Sequence, residues 1–396
     1  MNVAGQAVTV LGAGIGGLAS AVALAQRGAM VTVLEQAPAI IEVGAGLQIS
    51  PNGARVLRAL GLGDALAAAG LAAEAVELRD GRTGHQVLRL ALRAGDHDAA
   101  GGYFLLHRAD LVTLLLEAAV AAGVRVRTAC RVEGLELRPS SALLQLADAP
   151  SHETALLIGA DGLHSIVRQQ LEPETQPFFT GQVAWRAVIA ESGSAAPVAQ
   201  VFMGPGRHLV SYPLRGGRAR NLVAVEERGS WAAEGWHHRD DPARLRAAFA
   251  RFGGPVPGWL AALEEVHLWG LFRHEVVQRW HGGVCVLVGD AAHPTLPFLA
   301  QGANMALEDA WVLSDALIRE PTCEDAFRAY QAARDRRVRR TVAAAEGNAR
   351  AYHLAGPARW VAHRLLGLSG RIAPGLALRR FDWLYGHDVT AARRRP

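Results

Sequence analysis

The sequence predicts an α/β fold: a Rossmann-like nucleotide-binding domain built from discontinuous segments, with an inserted antiparallel β-sheet domain and C-terminal helices. Three observations carry this. The chain opens on a glycine-rich strand–turn–helix, and its composition turns aromatic and strand-rich over about 175–275. Apolar strands ending in Gly-Ala-Asp-Gly and Gly-Asp flank that change. The division read from these is 1–174, with a local β-rich insertion at 73–104, then 175–275, then 276–396.

Residues 8–35 read VTVLGAGIGGLASAVALAQRGAMVTVLE. Val8 to Leu11 forms an apolar strand, the glycines a turn into an alanine-rich helix, and Val31 to Leu34 a second strand closed by Glu35. This βαβ unit with an acid about twenty residues on is the arrangement that binds a dinucleotide. Gly12 allows the tight turn. Gly14 admits a pyrophosphate to the free N–H groups of the helix start. Gly17 permits close helix–strand packing. Gly12, Gly14, Ile15 and Gly16 are therefore binding candidates, with Glu35 and Gln36 toward an adenosine ribose.

Composition narrows the class. Half of the 396 residues are apolar and 20% are charged, which excludes general disorder. Residues 8–35 are apolar enough to resemble a signal peptide or anchor, but they lack a basic flank and carry functional glycines. No other run reaches the roughly 18–20 residues of a membrane span, so a soluble, cytoplasmic protein is expected. The three cysteines, Cys130, Cys285 and Cys323, match no zinc or CxxC spacing, which implies a reducing compartment and no metal. The chain contains no lysine, and its net charge of +4 comes from arginine. Arginines cluster at 334–340 and 393–395 without interleaved aromatic residues. They read as a solvated helix face and a basic tail rather than a nucleic-acid footprint.

Along the chain, a helix is expected from about Ala109 to Ala122, a strand at Val124–Thr128 and a meander over 131–158. Strands follow in QVAWRAVIA, QVFMG, HLVSYPL and NLVAVEE, then a helix over Asp241–Phe252, a buried strand at Val284–Val288 and helices from Gly302. Two more motifs bear chemistry. In GADGLHSIVR, Asp161 follows a buried strand at the carboxyl edge where open α/β sheets bind ligands, and it also suits a helix N-cap. In VCVLVGDAAHPTLPFLAQGANMALEDA, a strand delivers Asp290 to its carboxyl end, and Gly302-Ala303-Asn304 starts a long helix with a positive dipole end.

Together GAGIGG with Glu35, GADGLHSIVR and GDAAHP resemble the fingerprint of the FAD-dependent single-component aromatic hydroxylases, the group A flavoprotein monooxygenases. LLHRADL, VAWRAVI, HLVSYPLRGG and FDWLYGHDV extend the resemblance over nearly the whole chain, toward the salicylate hydroxylase and 3-hydroxybenzoate 6-hydroxylase branch. The resemblance implies that Glu35 holds the ribose, that Gln48 and Arg108 contact FAD, and that Asp290 binds its ribityl region. It links Asp161 to both FAD and a transient NAD(P)H. It implies a reaction in which O2 adds to the reduced flavin at C4a and an oxygen passes to a small aromatic ring, hydroxybenzoate-like or N-heteroaromatic. The alternative is a flavin oxidoreductase of this fold without oxygen insertion. The expected partners are the aromatic substrate, O2 and NAD(P)H, with a homodimer as candidate assembly. Gln301 matches the family's substrate-side glutamine. The branch often carries a histidine before its Tyr-Pro pair, where this chain has Ser211 before Tyr212 and Pro213. Either Ser211 passes the proton through Tyr212 or water, or the substrate is already activated, as an aminated or N-heterocyclic ring would be. His208, at an odd offset from Ser211, is expected on the opposite strand face in a structural role. His293 is expected to line the pocket or bond a loop carbonyl.

Overall fold

A computed structural model describes residues 3–40, 46–92, 102–191, 195–229, 239–372 and 379–391. The arginines at 393–395 lie outside these residues. Ala7–Leu11 is an inner strand of a six-stranded sheet whose order is His281–Gly282, Cys285–Leu287, Leu157–Gly159, Ala7–Leu11, Met30–Leu34, Arg125–Arg127. All pairs are parallel except the His281–Gly282 edge. Its inner strands are apolar at almost every position because helices cover both faces. Two glycines of the first turn are demanded by contact. A Cβ on Gly12 (φ +104) would stand 2.4 Å from the Ala160 carbonyl oxygen, and one on Gly17 would stand 2.0 Å from that of Gly12.

The second layer is an eight-stranded sheet, in the order Arg239–Asp240, Val266–Arg273, Phe178–Ala190, Ala219–Glu227, Arg207–Leu214, Val198–Gly204, Ala75–Asp80, Gln86–Ala91. Its far face packs Trp185, Phe202 and Leu209 against helices Pro242–Ala248 and Val256–Ala261. The two strands within 73–104 differ from the expected local insertion. Ala75–Asp80 runs parallel to Val198–Gly204 in the register Val198↔Ala75 to Met203↔Asp80, so they belong to the larger sheet. A free strand edge requires a hydrogen-bonding partner, and the partner here is remote in sequence.

The arginines at 334–340 correct a second expectation, since part of this helix face turns inward. Arg334 on helix Cys323–Tyr352 is 0% exposed. It bonds Glu308 and, at 2.7 Å, Asp309, both on helix Gly302–Arg319. Arg337 reaches Glu308 at 2.7 and 2.8 Å and the carbonyl oxygens of Trp383 and Leu384 at 2.8 and 2.9 Å. Asn52 donates to Glu308 at 2.7 Å. Asp309 accepts from the Gly289 N–H at 3.0 Å and pairs with His293 at 2.6 Å.

Burial alone would raise the Glu308 carboxyl, but Arg334, Arg337 and Asn52 hold it at about 2. Its folded value lies below the ordinary 4.5, so its contribution to stability is complete above that pH and is lost as pH falls toward 2. Arg334→Met removes the cation shared by two buried carboxylates and is expected to cost on the order of 3–5 kcal/mol near neutral pH. Urea midpoints measured at stepped pH should show the gap to wild type narrowing as the solution is acidified through the carboxylate range. A constant gap would place the cost elsewhere.

Candidate active site

A cavity of about 360 Å³ lies between the two large sheets, with the glycine turn at one end and the eight-stranded sheet at the other. At the glycine end, Gly14 precedes helix Ile15–Ala25 with no side chain capping it, so the first N–H groups face outward. A Cβ on Gly14 would meet nothing within 4 Å. Gly14, Ile15, Gly16, Gln48, Arg108, Asp290, Gly302 and Ala303 all border this space. Asp290 stands in the cavity at the end of strand Cys285–Leu287, and burial raises its carboxyl above the ordinary value, with Arg108 and His293 opposing. An uncapped helix start for a pyrophosphate and a carboxylate open to the cavity for hydroxyl groups are the donors and acceptors a flavin dinucleotide needs. The residues fit FAD.

Other predicted residues support this end without bordering it. The Glu35 carboxylate accepts the N–H groups of Ala13 at 2.8 Å and Ala37 at 2.9 Å, buttressing the glycine turn, and Gln36 beside it is exposed. Ser165, not Asp161, is the N-cap of helix Ile166–Leu171, and Asp161 accepts the Ile166 N–H at 2.8 Å from outside the helix, while Ala160 and Gly162 border the cavity. Burial raises its carboxyl, against the Ser165 hydroxyl and the helix N–H groups. Asn304 is fully buried and clips the Ser50 N–H (3.0 Å) to the carbonyls of Gln48 (3.0 Å) and Ala300 (2.7 Å).

The far end inverts three expectations. Gln301 turns away from the cavity: it donates to Ser50 Oγ at 2.9 Å and accepts from Asn52 at 3.1 Å, so its amide is consumed within the helix junction. Ser211 also faces away and accepts from Arg220 at 2.9 Å. His208, Val210 and Tyr212 border the cavity instead. Strand alternation explains this, because residues 208, 210 and 212 share one face and Ser211 lies on the other. Counting by twos from Tyr212, rather than from Ser211, would have found His208. His293 is turned toward Asp309 and Trp280, outside the cavity wall.

His208 is fully buried, and its ring lies 5.2 Å from that of Phe298. Its Nδ1 is 2.7 Å from His353 Nε2, and its Nε2 has no hydrogen-bond partner. Burial, reinforced by His353, holds its imidazole well below the ordinary histidine value. Burial raises the Tyr212 phenol despite Arg186 and Gln48.

Arg186 escaped the sequence reading. It borders the cavity with its guanidinium 4.5 Å from the Trp269 ring centroid, and its Nε has no hydrogen-bond partner. Burial, with Arg108 nearby, lowers it to about 10, so it stays cationic at neutral pH. The available signal was a charge on the inner face of an otherwise apolar strand, directly after the core residue Trp185.

The family model described as an FAD binding domain matches residues 6–345. The chain belongs to this family. FAD is its cofactor, and the resemblance drawn from the three motifs is borne out. The chain is 36% identical over 389 residues, 96% of each chain, to the 3-amino-4-hydroxybenzoate 2-monooxygenase PtnB3 of Streptomyces platensis. It is 35% identical over 396 residues, 98% of each, to the 3-hydroxybenzoate 6-hydroxylase of Polaromonas naphthalenivorans. The structure of Klebsiella pneumoniae HpxO complexed with FAD and uric acid matches with a TM-score of 0.82 at 27% identity, covering 94% of this chain and 95% of that one. Among the described residues no helix is long and apolar enough to cross a membrane.

Gly14→Val would send a side chain into the open space before the first helix and is expected to abolish flavin retention while the protein still folds. Asp290→Ala should weaken retention. Flavin absorbance per protein after gel filtration checks both, and full retention in both would contradict this seat for FAD.

Proposed function

We propose that this protein uses NAD(P)H and O2 to hydroxylate a small aromatic carboxylate bearing a phenol, with His208 as the base. Gly14, Arg108, Asp290 and the start of helix Gly302–Arg319 would hold FAD at the glycine end, where it would supply electron transfer from NAD(P)H and activation of O2. The observation that carries the reading is His208, a residue of the cavity lining whose buried Nε2 has no hydrogen-bond partner. A ring is attacked more readily as phenolate than as phenol, so a base within reach of the hydroxyl raises its reactivity. Low dielectric around His208 disfavours a charged imidazolium and keeps the ring neutral and ready to accept.

Arg186 is the counter-ion for the ring's carboxylate. Its guanidinium lies over the Trp269 ring and retains an unpartnered Nε, and a guanidinium suits planar carboxylate recognition. Trp269, Leu271, Leu296 and Phe298 supply apolar walls that exclude water from the oxygen transfer. That the two relatives are named for hydroxybenzoate hydroxylation supports the same substrate class. Apolar walls at Trp269, Leu271, Leu296 and Phe298 beside a base favour hydroxylation over a flavin oxidoreductase without oxygen insertion.

Substrate-stimulated NAD(P)H oxidation with hydroxybenzoates, and mass analysis of the products, tests the reading. His208→Gln should retain FAD and lower hydroxylation by about 10²–10⁴-fold, while Ser211→Ala should leave it unchanged. Full hydroxylation by His208→Gln would remove the base. Separately, Arg186→Met should raise KM for carboxylated phenols far more than it lowers kcat, and should spare phenols that lack the carboxylate. Equal effects on both groups would remove Arg186 from carboxylate recognition.

A further inference from the structure

The free nitrogen of His208 is the inner end of a chain of groups that reaches solvent. His208 Nδ1 lies 2.7 Å from His353 Nε2, and His353 Nδ1 lies 2.7 Å from Glu227 Oε1. The side chain of His353 is 3% exposed and that of Glu227 is 53% exposed, so two hydrogen bonds span from cavity to surface. Three elements converge to build it. His208 pairs across the sheet with Val225, and Glu227 is the next residue on that face of strand Ala219–Glu227. His353 caps the C-terminal end of helix Cys323–Tyr352, where the helix dipole favours a passing positive charge.

We propose that Glu227 and His353 form, with His208, a proton relay that carries the substrate's phenolic proton to solvent and returns it to the product. This rests on the hydroxylase reading above. The hydrogen-bond directions follow from charge. An ionised Glu227 only accepts, so His353 Nδ1 carries a proton. Neutral His353 then offers a bare Nε2, which accepts from His208 Nδ1–H. Neutral His208 is left with a bare Nε2 on a ring that belongs to the cavity lining. The exposed carboxylate thus selects the tautomer that makes the buried ring a base, through an intervening histidine.

The transfer balances without any redox partner. The phenolic O–H bond breaks, its electron pair stays on oxygen, and a bond forms from the proton to His208 Nε2. The His208 Nδ1–H bond breaks as His353 Nε2–H forms. The His353 Nδ1–H bond breaks as Glu227 Oε1–H forms, and the carboxyl group releases the proton to water. When the product phenol re-forms, the same steps run in reverse and restore both tautomers, so neither ring must rotate. Without this exit the proton would remain on a fully buried imidazole, whose charged form burial disfavours.

The groups facing the relay are few. Tyr352 and Phe298 pack against the His208 ring, and Arg186 and Tyr212 border the same cavity. Burial lowers His353, the Glu227 carboxylate raises it, and Arg207 lowers it. Arg207 and Arg228 are themselves engaged by Glu226, at 3.1 and 3.0 Å. Among the described residues Glu227 is therefore the anion that remains for His353.

The test uses oxidised holoenzyme in weak buffer with an indicator dye. It is mixed with 3-hydroxybenzoate or 3-amino-4-hydroxybenzoate, whichever stimulates NAD(P)H oxidation in wild type. Proton release on binding is followed by stopped flow. Glu227→Gln keeps an acceptor for His353 Nδ1–H but cannot take the proton. It is expected to slow release on the order of tenfold or more with unchanged FAD content and melting temperature. Added formate or imidazole should restore the rate, because the exit lies at the surface, and His353→Gln should be slow without such rescue at its buried position. A Glu227→Gln rate equal to wild type overturns the relay, as does slowing that no added base relieves. If His208→Gln itself releases the proton normally, or neither hydroxybenzoate stimulates oxidation, the hydroxylase reading fails and the relay with it. Loss in His208→Gln with normal rates in Glu227→Gln and His353→Gln leaves the base in place and removes only the relay.

Discussion

Two adjacent carboxylates in one helix, Glu308 and Asp309, hold this molecule together through a fully buried arginine. Arg334 touches both, Arg337 adds a second cation to Glu308, and Asp309 reaches back to the N–H of Gly289. The cluster thereby joins the long C-terminal helix, the helix that opens on the cavity and the loop that presents Asp290. Through Asn52 and Gln301 it extends to the helix Pro51–Ala59 behind strand Gly46–Ile49. Such clusters add little net stability over apolar packing, since desolvation offsets most of the attraction. Their value here is geometric. Each guanidinium satisfies carboxylates at one spacing, which leaves one way to seat these helices.

The site uses the opposite electrostatic design. Around the cavity, charged and titratable groups are left partly unmatched: Asp290 stands open to the space, Arg186 keeps an unpartnered Nε, and His208 keeps an unpartnered Nε2. Unsatisfied buried polar atoms are costly, and they are tolerated at the wall where ligands are expected. The rigid ionic cluster behind the cavity allows the polar groups in front to wait without collapsing onto one another. Each is also shifted by burial in the direction that disfavours its charge, so a ligand of complementary charge or a donated proton relieves the strain.

Much of the fold was legible because its signals are local. The glycines at 12 and 17 are required by backbone approach closer than any Cβ allows, and the apolar strands by burial on both faces. Period-two alternation likewise contained the answer at 208–212, where only one of two neighbouring residues can face a cavity. The strand's parity is a property of the chain, but which face meets the cavity is not. That choice depends on whether helices Pro242–Ala248 and Val256–Ala261 or the flavin-binding layer covers a given side, and packing of Trp185, Phe202 and Leu209 settles it.

Long-range pairing was illegible for the same reason. Nothing near Arg334 marks it as buried, since its partners lie on another helix and its neighbours Arg336 and Arg340 have the same composition. The pairing of Ala75–Asp80 with Val198–Gly204 joins strands that only the closed sheet brings together. Glu227, His353 and His208 are each unremarkable in sequence, and they become one hydrogen-bonded line only where a strand end, a helix end and a strand centre meet. Local backbone sterics and hydrophobic period set the elements and the nucleotide turn. Desolvation and the geometry of remote partners assigned each polar side chain its direction, because a buried charge is stable only where a distant segment supplies its counterpart.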